Sequence, residues 1–445
     1  MKKTKFVLAL SMAAVMGIMS GCSSPKNTDT TSPESVESTK DTKKNADNEA
    51  STSIKVCWWG NQARNDMTKQ AVDLYMEQNP EVKIDIEFTD WSGYWDKLSA
   101  MAAGGNLPDI IQMDHSYLKQ YQESNQLADI TPYLESGVIQ TEKIPQSIIE
   151  SGSIDGKCYA MSLGSNALSL IYNKDITDEA GVVIPEHITT EELLEIGNTI
   201  YEKTGVKTYY EGGLNGLIMM ARSNDSNIFD ELAANDLTST LEHFEYVDQF
   251  ARAESALTPE LIAEKNPSVV ETNPITDGTS WNCFSFSNQF IALKNASGGA
   301  NLELSMFPSP QESDVEAMFL KPAQFFAISE TSQSKDEAAK FIDWFINSEE
   351  CNEILLGERG VPVNTDIAKN IKEKVDADTA KTFDYINKIG EIATPIDDPA
   401  PAGRGEVEAV ALTYVEQLRY GDGTAQEIAE KFVEKSYEIL TEAAK

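Results

Sequence analysis

The chain has 445 residues, of which 41% are hydrophobic and 24% are charged, so it is long enough for about two or three domains with sizeable cores. Its 72 acidic residues outnumber its 36 basic residues, and the formal net charge is −36. That field repels nucleic acid and anionic lipid head groups, which excludes nucleic acid as a partner.

The first 22 residues are typical of an export signal. A basic start precedes an apolar stretch from Phe6 to Met19, which is too short for a comfortable membrane span. Ser20, Gly21 and Cys22 follow, and this ending resembles the lipobox of bacterial lipoproteins, in which the cysteine is lipidated. The alternative is a plain cleaved signal with an incidental cysteine. We predict a lipid anchor at Cys22.

The next segment, 23–53, is polar, and Val36 is its one large apolar residue. It cannot bury enough surface to offset the entropy of ordering, so we predict a flexible tether. An anchor followed by a tether would hold a globular body at the outer face of the cytoplasmic membrane, as is typical of Gram-positive cells. No later segment is long and apolar enough to span a membrane.

Strands and helices alternate after the tether. Apolar residues alternate strictly in 54–58 and in 82–88, which predicts two strands, and "PDIIQM" predicts a third strand that ends at Asp114. Helical apolar faces lie between these strands. The order strand, helix, strand, helix, strand implies right-handed crossovers and a mostly parallel sheet. Later segments continue as mixed α/β with more helix, so the predicted fold class is α/β.

Aromatic and polar side chains follow all three predicted strands. They are Trp58, Trp59 and Asn61 after the first strand, Asp90 and Trp91 after the second, and Asp114 and His115 after the third. Ligands of open α/β sheets bind in the crevice at the carboxyl ends of the strands. Flat rings beside fixed hydrogen-bonding groups suit a sugar, which has apolar C–H faces and a rim of hydroxyls.

Alternation along the first strand separates the two adjacent tryptophans. Trp58 continues the stripe of Ile54 and Val56, so we expect it in the core and expect Trp59 to face the crevice. We expect Trp91 to be exposed, and His115 to be a satisfied surface histidine.

One stretch carries a resemblance to a known family. "GKCYAMSLGSNALSLIYNKD" (156–175) resembles the place where the chain crosses between lobes in maltose-binding-protein-like proteins, the family 1 extracellular solute-binding proteins of ABC importers. "AAKFIDWFINSEE" and "RGVPVN" are similar to other pieces of that family, and the resemblance runs from Ile54 to about Leu440.

The resemblance implies a type II periplasmic-binding-protein-like fold with a ligand cleft between two α/β lobes that close by hinge motion. Carried over, the first lobe comprises 54–165 plus 321–360, and the second comprises 166–320 plus 361–445.

The resemblance also implies ligand contacts around the crossover and in the second lobe. Asn166 stands where relatives have a ligand-contacting carboxylate, and Glu211 resembles an acidic residue that opens a ligand-facing turn. Asn61 departs from the glycine that is common at its position in similar "WWGG" openings.

Further candidates come from the second lobe and from two arginines. Trp281 or Phe284 would supply the ring that opposes the first-lobe tryptophans, with Asn282 as a polar partner. Arg404, near the start of a late helix, is a candidate donor or a solvated surface arginine. Arg64 is a further candidate, which could instead only counter nearby acids.

These observations favour a non-catalytic receptor, monomeric and without cofactor or metal, that captures a carbohydrate for an ABC permease. A secreted glycoside hydrolase using two carboxylates is the alternative, as is a receptor for a peptide or glycerol-phosphate. A lipid-anchored scaffold with an idle cleft is another. Uronic acids could bind through Arg64 and Arg404, although the acidic field disfavours them. The remaining cysteines lack C-x-x-C spacing, so we predict buried thiols and no required disulfide.

Overall fold

The computed structural model describes residues 52–311 and 314–444. The predicted lipid anchor at Cys22 and nearly all of the predicted tether lie outside these residues.

The described residues form an α/β structure. In chain order the strands are β1 (Thr52–Trp59), β2 (Val82–Thr89), β3 (Ile110–Met113), β4 (Ser153–Ile154), β5 (Lys157–Cys158), β6 (Ala160–Ser162), β7 (Ser165–Asn166), β8 (Leu168–Asn173), β9 (Asn282–Phe286), β10 (Leu302–Met306), β11 (Lys321–Pro322) and β12 (Phe325–Ile328). Helices in the part up to β11 are α1 (Gln62–Gln78), α2 (Trp91–Ala103), α3 (His115–Glu123), α4 (Thr131–Glu135), α5 (Gln146–Ser151), α6 (Lys174–Ala180), α7 (Thr190–Thr204), α8 (Leu214–Ser223), α9 (Ile228–Ala233), α10 (Thr238–Arg252), α11 (Pro259–Lys265) and α12 (Phe290–Ala296). Those after β12 are α13 (Lys335–Asn347), α14 (Glu349–Leu355), α15 (Thr365–Lys372), α16 (Ala377–Ile392), α17 (Arg404–Tyr420) and α18 (Ala425–Ala443).

A mixed sheet has the strand order β2-β1-β3-β12-β6. β1 pairs in parallel with β2 and with β3, which confirms the three predicted strands and their alternation with α1 and α2. β12 arrives from more than 200 residues further along the chain and is antiparallel to β3 and β6. We call this sheet and the helices that cover it the first lobe.

Both faces of the first sheet are covered by helices. Ile54, Val56 and Trp58 point to one face, where α1 and α13 pack, and all three side chains are fully buried. Cys57 and Trp59 point to the other face, against α2 and α3. The expected core position of Trp58 is confirmed, and its indole N–H donates to Oδ1 of Asn65 at 2.9 Å.

A second, antiparallel sheet has the order β10-β8-β9. α16 packs beside β10, and α8, α10, α17 and α18 pack on one another. We call this group the second lobe. None of the described helices is long and apolar enough to cross a membrane.

The chain passes between the two sheets in three segments, which lie side by side near residues 165, 321 and 361. We call them the crossing segments. β7 pairs with β11, and Ser165 bridges to Val361. The passage is tight, because a Cβ at Gly164 would stand 2.1 Å from the carbonyl oxygen of Arg359, and Gly360 has a φ of +91°. Glycine at these two positions therefore lets the segments run in contact. The lobe boundaries at 165/166, 320/321 and 360/361 stay a prediction.

Candidate functional site

Five rings gather where β1 and β2 end and α2 and α3 begin. We call this group the aromatic cluster, and its members are Trp59, Trp91, Tyr94, Trp95 and Tyr117. Trp91 is 45% exposed, so its expected exposure is confirmed. The expectation that Trp59 faces the crevice is wrong: it is 8% exposed, because Trp91, Tyr94 and Trp95 pack around it.

The interpretation of the sequence missed Trp95 and Tyr117 as parts of this surface. Their rings stack with centroids 3.7 Å apart and planes inclined by 17°. The indole N–H of Trp95 is buried and has no hydrogen-bond partner among residues 52–311 and 314–444. The spacing from Trp91 to Tyr94 and Trp95, three and four residues along one helix, was the signal that could have found the group.

The polar residues at the three strand ends are helix caps. Asn61 Oδ1 accepts from the backbone N–H of Arg64, Asp90 Oδ1 from Gly93, and Asp114 Oδ1 from Ser116, each at 2.9 Å. Such caps satisfy backbone donors that a helix start leaves free. Asn61 and Asp114, both predicted to bind ligand, thus each have one oxygen committed to a cap.

A pocket of about 280 Å³ lies between the lobes beside the crossing segments. Its lining includes Arg64, Asn166, Asn288, Glu358, Thr379 and Thr382. Nε of Arg64 donates to both carboxylate oxygens of Glu358, at 3.0 and 3.1 Å, and so fixes the guanidinium at the first-lobe wall. The structure thereby brings two predicted site residues, Arg64 and Asn166, into one interlobe pocket.

Lys321 and Phe286 connect the two lobes at the crossover. Lys321 on β11 pairs with Asn166 on β7, so the two side chains share a face of this short ribbon. The Lys321 ammonium lies 4.7 Å from the centroid of the Phe286 ring, at the end of β9 in the second lobe. Sequence reasoning singled out neither residue. Phe286 could have been found as the next alternate position after Phe284.

Burial is the main influence on the protonation of His115. Burial lowers the pKa of His115 to about 4, with smaller effects from the charges of Asp114, Lys321, Asp398 and Arg404. His115 is half-buried rather than a surface histidine, and its imidazole is neutral at pH 7. Arg404 is the first residue of α17 and is exposed.

Glu211 holds the turn that leads into α8. Its Oε1 accepts from the backbone N–H of Gly213 at 2.9 Å. Desolvation raises the pKa of Glu211, and the charges of Arg419 and Glu408 act on it in opposite directions. Glu211 is half-buried, and its Oε1 is already bonded to Gly213. A ligand would therefore have to contact Oε2.

The predicted second-lobe ring is a core residue, and this expectation is corrected. Trp281 is fully buried, and its indole N–H donates to Oγ1 of Thr208 at 2.9 Å. Asn282 is also fully buried and exchanges two hydrogen bonds with the backbone of Tyr209. Phe284 is 7% exposed between Tyr209 and Phe307. None of the three offers a free surface to the cleft, because β9 lies under its neighbours rather than at the rim.

No group of three or more His, Cys, Asp or Glu side chains among the described residues is arranged to hold a metal ion.

Comparison with known proteins identifies the architecture. A family profile described as bacterial extracellular solute-binding protein matches residues 70–382. A family 1 extracellular solute-binding protein from Alicyclobacillus acidocaldarius superposes with a TM-score of 0.79 at 23% identity, covering 88% of this chain and 100% of that one. A periplasmic oligogalacturonide-binding protein from Yersinia enterocolitica gives a TM-score of 0.72 at 21% identity, with 88% and 100% covered. The two-lobed α/β binding-protein fold is thus confirmed.

A curated relative shares sequence with part of the chain. The arabinooligosaccharide-binding protein of Halalkalibacterium halodurans is 26% identical over 172 residues, which is 37% of this chain. The matched segment spans 38% of that relative's length.

Proposed function

The chain belongs to the bacterial extracellular solute-binding protein family, and from this membership we propose that it captures an oligosaccharide outside the cell and delivers it to an ABC permease. The family consists of binding proteins, so the chain is not an enzyme, and the glycoside hydrolase alternative is set aside. Beyond family membership, the proposal has three parts: the ligand is a saccharide, the protein carries a lipid anchor, and it delivers the ligand to a permease.

The exposed ring of Trp91 is the observation that carries the proposal. A tryptophan that is 45% exposed at the carboxyl ends of parallel strands presents a flat apolar face to the cleft. The rings of Trp59 and Trp95 pack against it, and Asn61 and Asp114 cap α1 and α3 at the ends of the neighbouring strands β1 and β3. This combination suits a pyranose or furanose ring, which has both apolar faces and hydroxyls.

Binding would proceed by lobe closure. A ligand that contacts Trp91 on the first lobe and the start of α17 on the second stabilises the closed state relative to the open one. The permease would then distinguish the closed from the open receptor. The predicted lobes, 54–165 plus 321–360 and 166–320 plus 361–445, are the bodies that move in this proposal.

The relatives support a saccharide ligand. One is named for binding arabino-oligosaccharides and another for binding oligogalacturonides. The exposed apolar ring of Trp91 supports a sugar rather than a peptide or a glycerol-phosphate.

We also propose that the protein is a monomeric lipoprotein, anchored through Cys22 and held by the tether 23–53 at the outer face of the cytoplasmic membrane. Metabolic labelling of expressing cells with a palmitate analogue tests this part. Label that survives in Cys22→Ser would contradict it.

Direct binding tests the ligand class. Isothermal titration and thermal shift against a panel of oligosaccharides should give saturable binding and a higher melting temperature for at least one saccharide, with the saccharide recovered unchanged. Absence of binding to all saccharides, with binding to a peptide or glycerol-phosphate, would replace the proposal.

A further inference from the structure

The interlobe pocket beside the crossing segments has a floor and two walls. Asn166 and Gln324 come from the crossing segments, Arg64 from the first turn of α1, and Asn288 and Thr379 from the second lobe. The segments of the floor are paired or packed against one another, since β7 pairs with β11 and the passage at Gly164 is tight. A saccharide chain that enters between the lobes therefore cannot continue through this floor.

Three amides of the lining have hydrogen-bonding atoms without a partner. Asn166 is 8% exposed, and its side chain forms no hydrogen bond with any described residue. Gln324 is 2% exposed and donates from Nε2 to the carbonyl oxygen of Arg359 at 2.7 Å, but its Oε1 accepts no hydrogen bond from the same residues. The amide of Asn288 is exposed and is likewise unpaired in the described part of the chain. Because buried polar groups are normally hydrogen-bonded, the free atoms of Asn166 and Gln324 indicate a site for a polar ligand.

The charged side chains of the lining are already engaged. Nε of Arg64 donates to both carboxylate oxygens of Glu358, at 3.0 and 3.1 Å, so these two charges cancel. Arg359 is 1% exposed, and its guanidinium donates to Gln112 and Thr68. The groups left for a ligand are amides, which both donate to and accept from hydroxyls.

The volume of the pocket limits how much of a ligand it can hold. Its 280 Å³ is just below the range of about 300–1,000 Å³ that is typical of sites for drug-sized ligands, and it equals the space of about nine water molecules. Ile291 and Ala323 add apolar surface, which suits the C–H face of a sugar. One saccharide ring fits this space, and a second ring must lie outside it.

The pocket and Trp91 lie along the same edge of the first sheet. Arg64 stands in the first turn of α1, which follows β1, and Trp91 is the first residue of α2, which follows β2. β1 and β2 are paired neighbours, so their carboxyl ends are about 5 Å apart. A ring in the pocket and the rings that extend from it toward Trp91 can therefore belong to one oligosaccharide.

We propose that the interlobe pocket binds the terminal ring of the saccharide, so that the protein recognises a chain end rather than an internal stretch of a polymer. The inference rests on the proposed function and deepens it, because it adds Asn288 and Gln324 to Asn166 as residues that bind the ligand. A terminal ring has hydroxyls where an internal ring has its next linkage, and the amides hydrogen-bond to those hydroxyls.

Saccharides blocked at one end test the proposal. The probes are linear di- to tetrasaccharides of arabinose, xylose and glucose, and the series that binds most tightly by titration calorimetry is carried forward. A p-nitrophenyl glycoside blocks its reducing end, and a benzyl ether of the terminal ring blocks its other end. We expect one blocked form to bind at least ~100-fold more weakly and the other to bind within ~3-fold of the unblocked saccharide. The form that fails identifies the end that enters the pocket.

Two substitutions connect this selectivity to the pocket. Asn166→Ala and Asn288→Ala should each weaken binding of the unblocked saccharide by ~10-fold. Melting temperatures without ligand should match that of the wild type, because neither amide has a hydrogen-bond partner among residues 52–311 and 314–444.

Asn106 supplies the matched control. It is exposed beyond the last residue of α2, at the opposite end of that helix from Trp91, and its amide also forms no hydrogen bond within the described ranges. Asn106→Ala removes the same group and should leave the affinity unchanged.

The outcomes separate this inference from the proposed function. Blocked forms that both bind like the unblocked saccharide, or that both fail, overturn recognition of a single chain end. Asn166 and Asn288 variants that bind like the wild type show that the pocket holds only water, and they overturn the inference as well. In each of these cases saccharide binding itself remains. Failure to bind any saccharide overturns both proposals.

Discussion

The indole of Trp91 meets the indole of Trp59 edge to face, with ring centroids 4.9 Å apart and planes inclined by 81°. The outer ring is 45% exposed and the inner one 8%, so two tryptophans that touch differ in their access to solvent. Trp91 presents a surface, and Trp59 supports it from the core of the first lobe.

Replacement of the outer and inner rings should therefore separate binding from stability. We expect Trp91→Ala to weaken saccharide binding by ~10-fold or more while changing the free energy of unfolding by at most about 1 kcal/mol. Trp59→Ala should cost about 3–5 kcal/mol, because it leaves a cavity beneath Trp91 and Trp95. Urea unfolding and calorimetry measure the two effects. A large loss of stability in Trp91→Ala would assign that ring to the core instead.

A buried arginine joins the crossing segments to the first sheet. Arg359 is 1% exposed, and its guanidinium donates to Gln112 Oε1 at 2.7 Å and to Thr68 Oγ1 at 2.8 Å. Gln112 donates in turn to the carbonyl oxygen of Trp59, and Gln324 donates to the carbonyl oxygen of Arg359.

We expect Arg359→Met to lower the free energy of unfolding by about 3 kcal/mol, because it leaves two buried acceptors without a donor. The matched control is Arg252→Met, since Arg252 pairs with Asp248 on the surface of α10 and should contribute less than about 1 kcal/mol. Equal effects of the two substitutions in urea unfolding would show that the buried network contributes little.

His243 predicts a loss of stability in acid. It is 1% exposed, and burial lowers its pKa to about 4, although a hydrogen bond to the carbonyl of Gly212 opposes the shift. The unfolded chain, with an ordinary histidine pKa near 6.5, binds more protons between about pH 6.5 and pH 4, so stability falls as the pH falls through that window.

Between pH 7 and pH 5 this residue should account for a loss of about 2 kcal/mol. Urea unfolding at the two pH values should show a smaller difference for His243→Gln than for the wild type. An unchanged difference would place the acid sensitivity elsewhere.

The described cysteines should be unreactive in the folded protein. Cys57, Cys158, Cys283 and Cys351 are free and buried. Burial raises the pKa of Cys158 to about 11 and that of Cys57 to about 12, and it raises the pKa values of the other two as well. A thiol must ionise to react, so Ellman's reagent at pH 8 should label none of them in Cys22→Ser and all of them in denaturant. Rapid labelling without denaturant would reveal local opening.

The amino-acid sequence by itself determined the α/β class and the first three strands. Strict alternation in 54–58 and 82–88 specified which side chains share a face, so the pattern alone was enough to place Trp58 in the core. Strand–helix alternation then predicted the handedness of the connections, because right-twisted strands accept only one hand of crossover. The family followed from the islands around 156–175 and from the profile match to 70–382.

Tertiary packing decided what covers each face. Alternation put Trp59 opposite Trp58, but only the folding of α2 over that face buried it under Trp91. Trp281 is buried for the same reason: its strand lies within the second lobe, against a residue more than 70 positions away. Local periodicity reports the direction of a side chain and not the neighbours it meets.

The contact between Lys321 and Phe286 also came from the tertiary structure alone. Lys321 and Phe286 are 35 positions apart and carry no local pattern that joins them, yet β11 and the end of β9 bring the ammonium to 4.7 Å from the ring centroid. Long-range pairs of this kind are set by the packing of whole elements, since the distance between two side chains depends on every segment that lies between them. The sequence thus named Arg64 and Trp91 as candidates, whereas the burial of Trp59 and Trp281 and the contact of Lys321 with Phe286 came only from the tertiary structure.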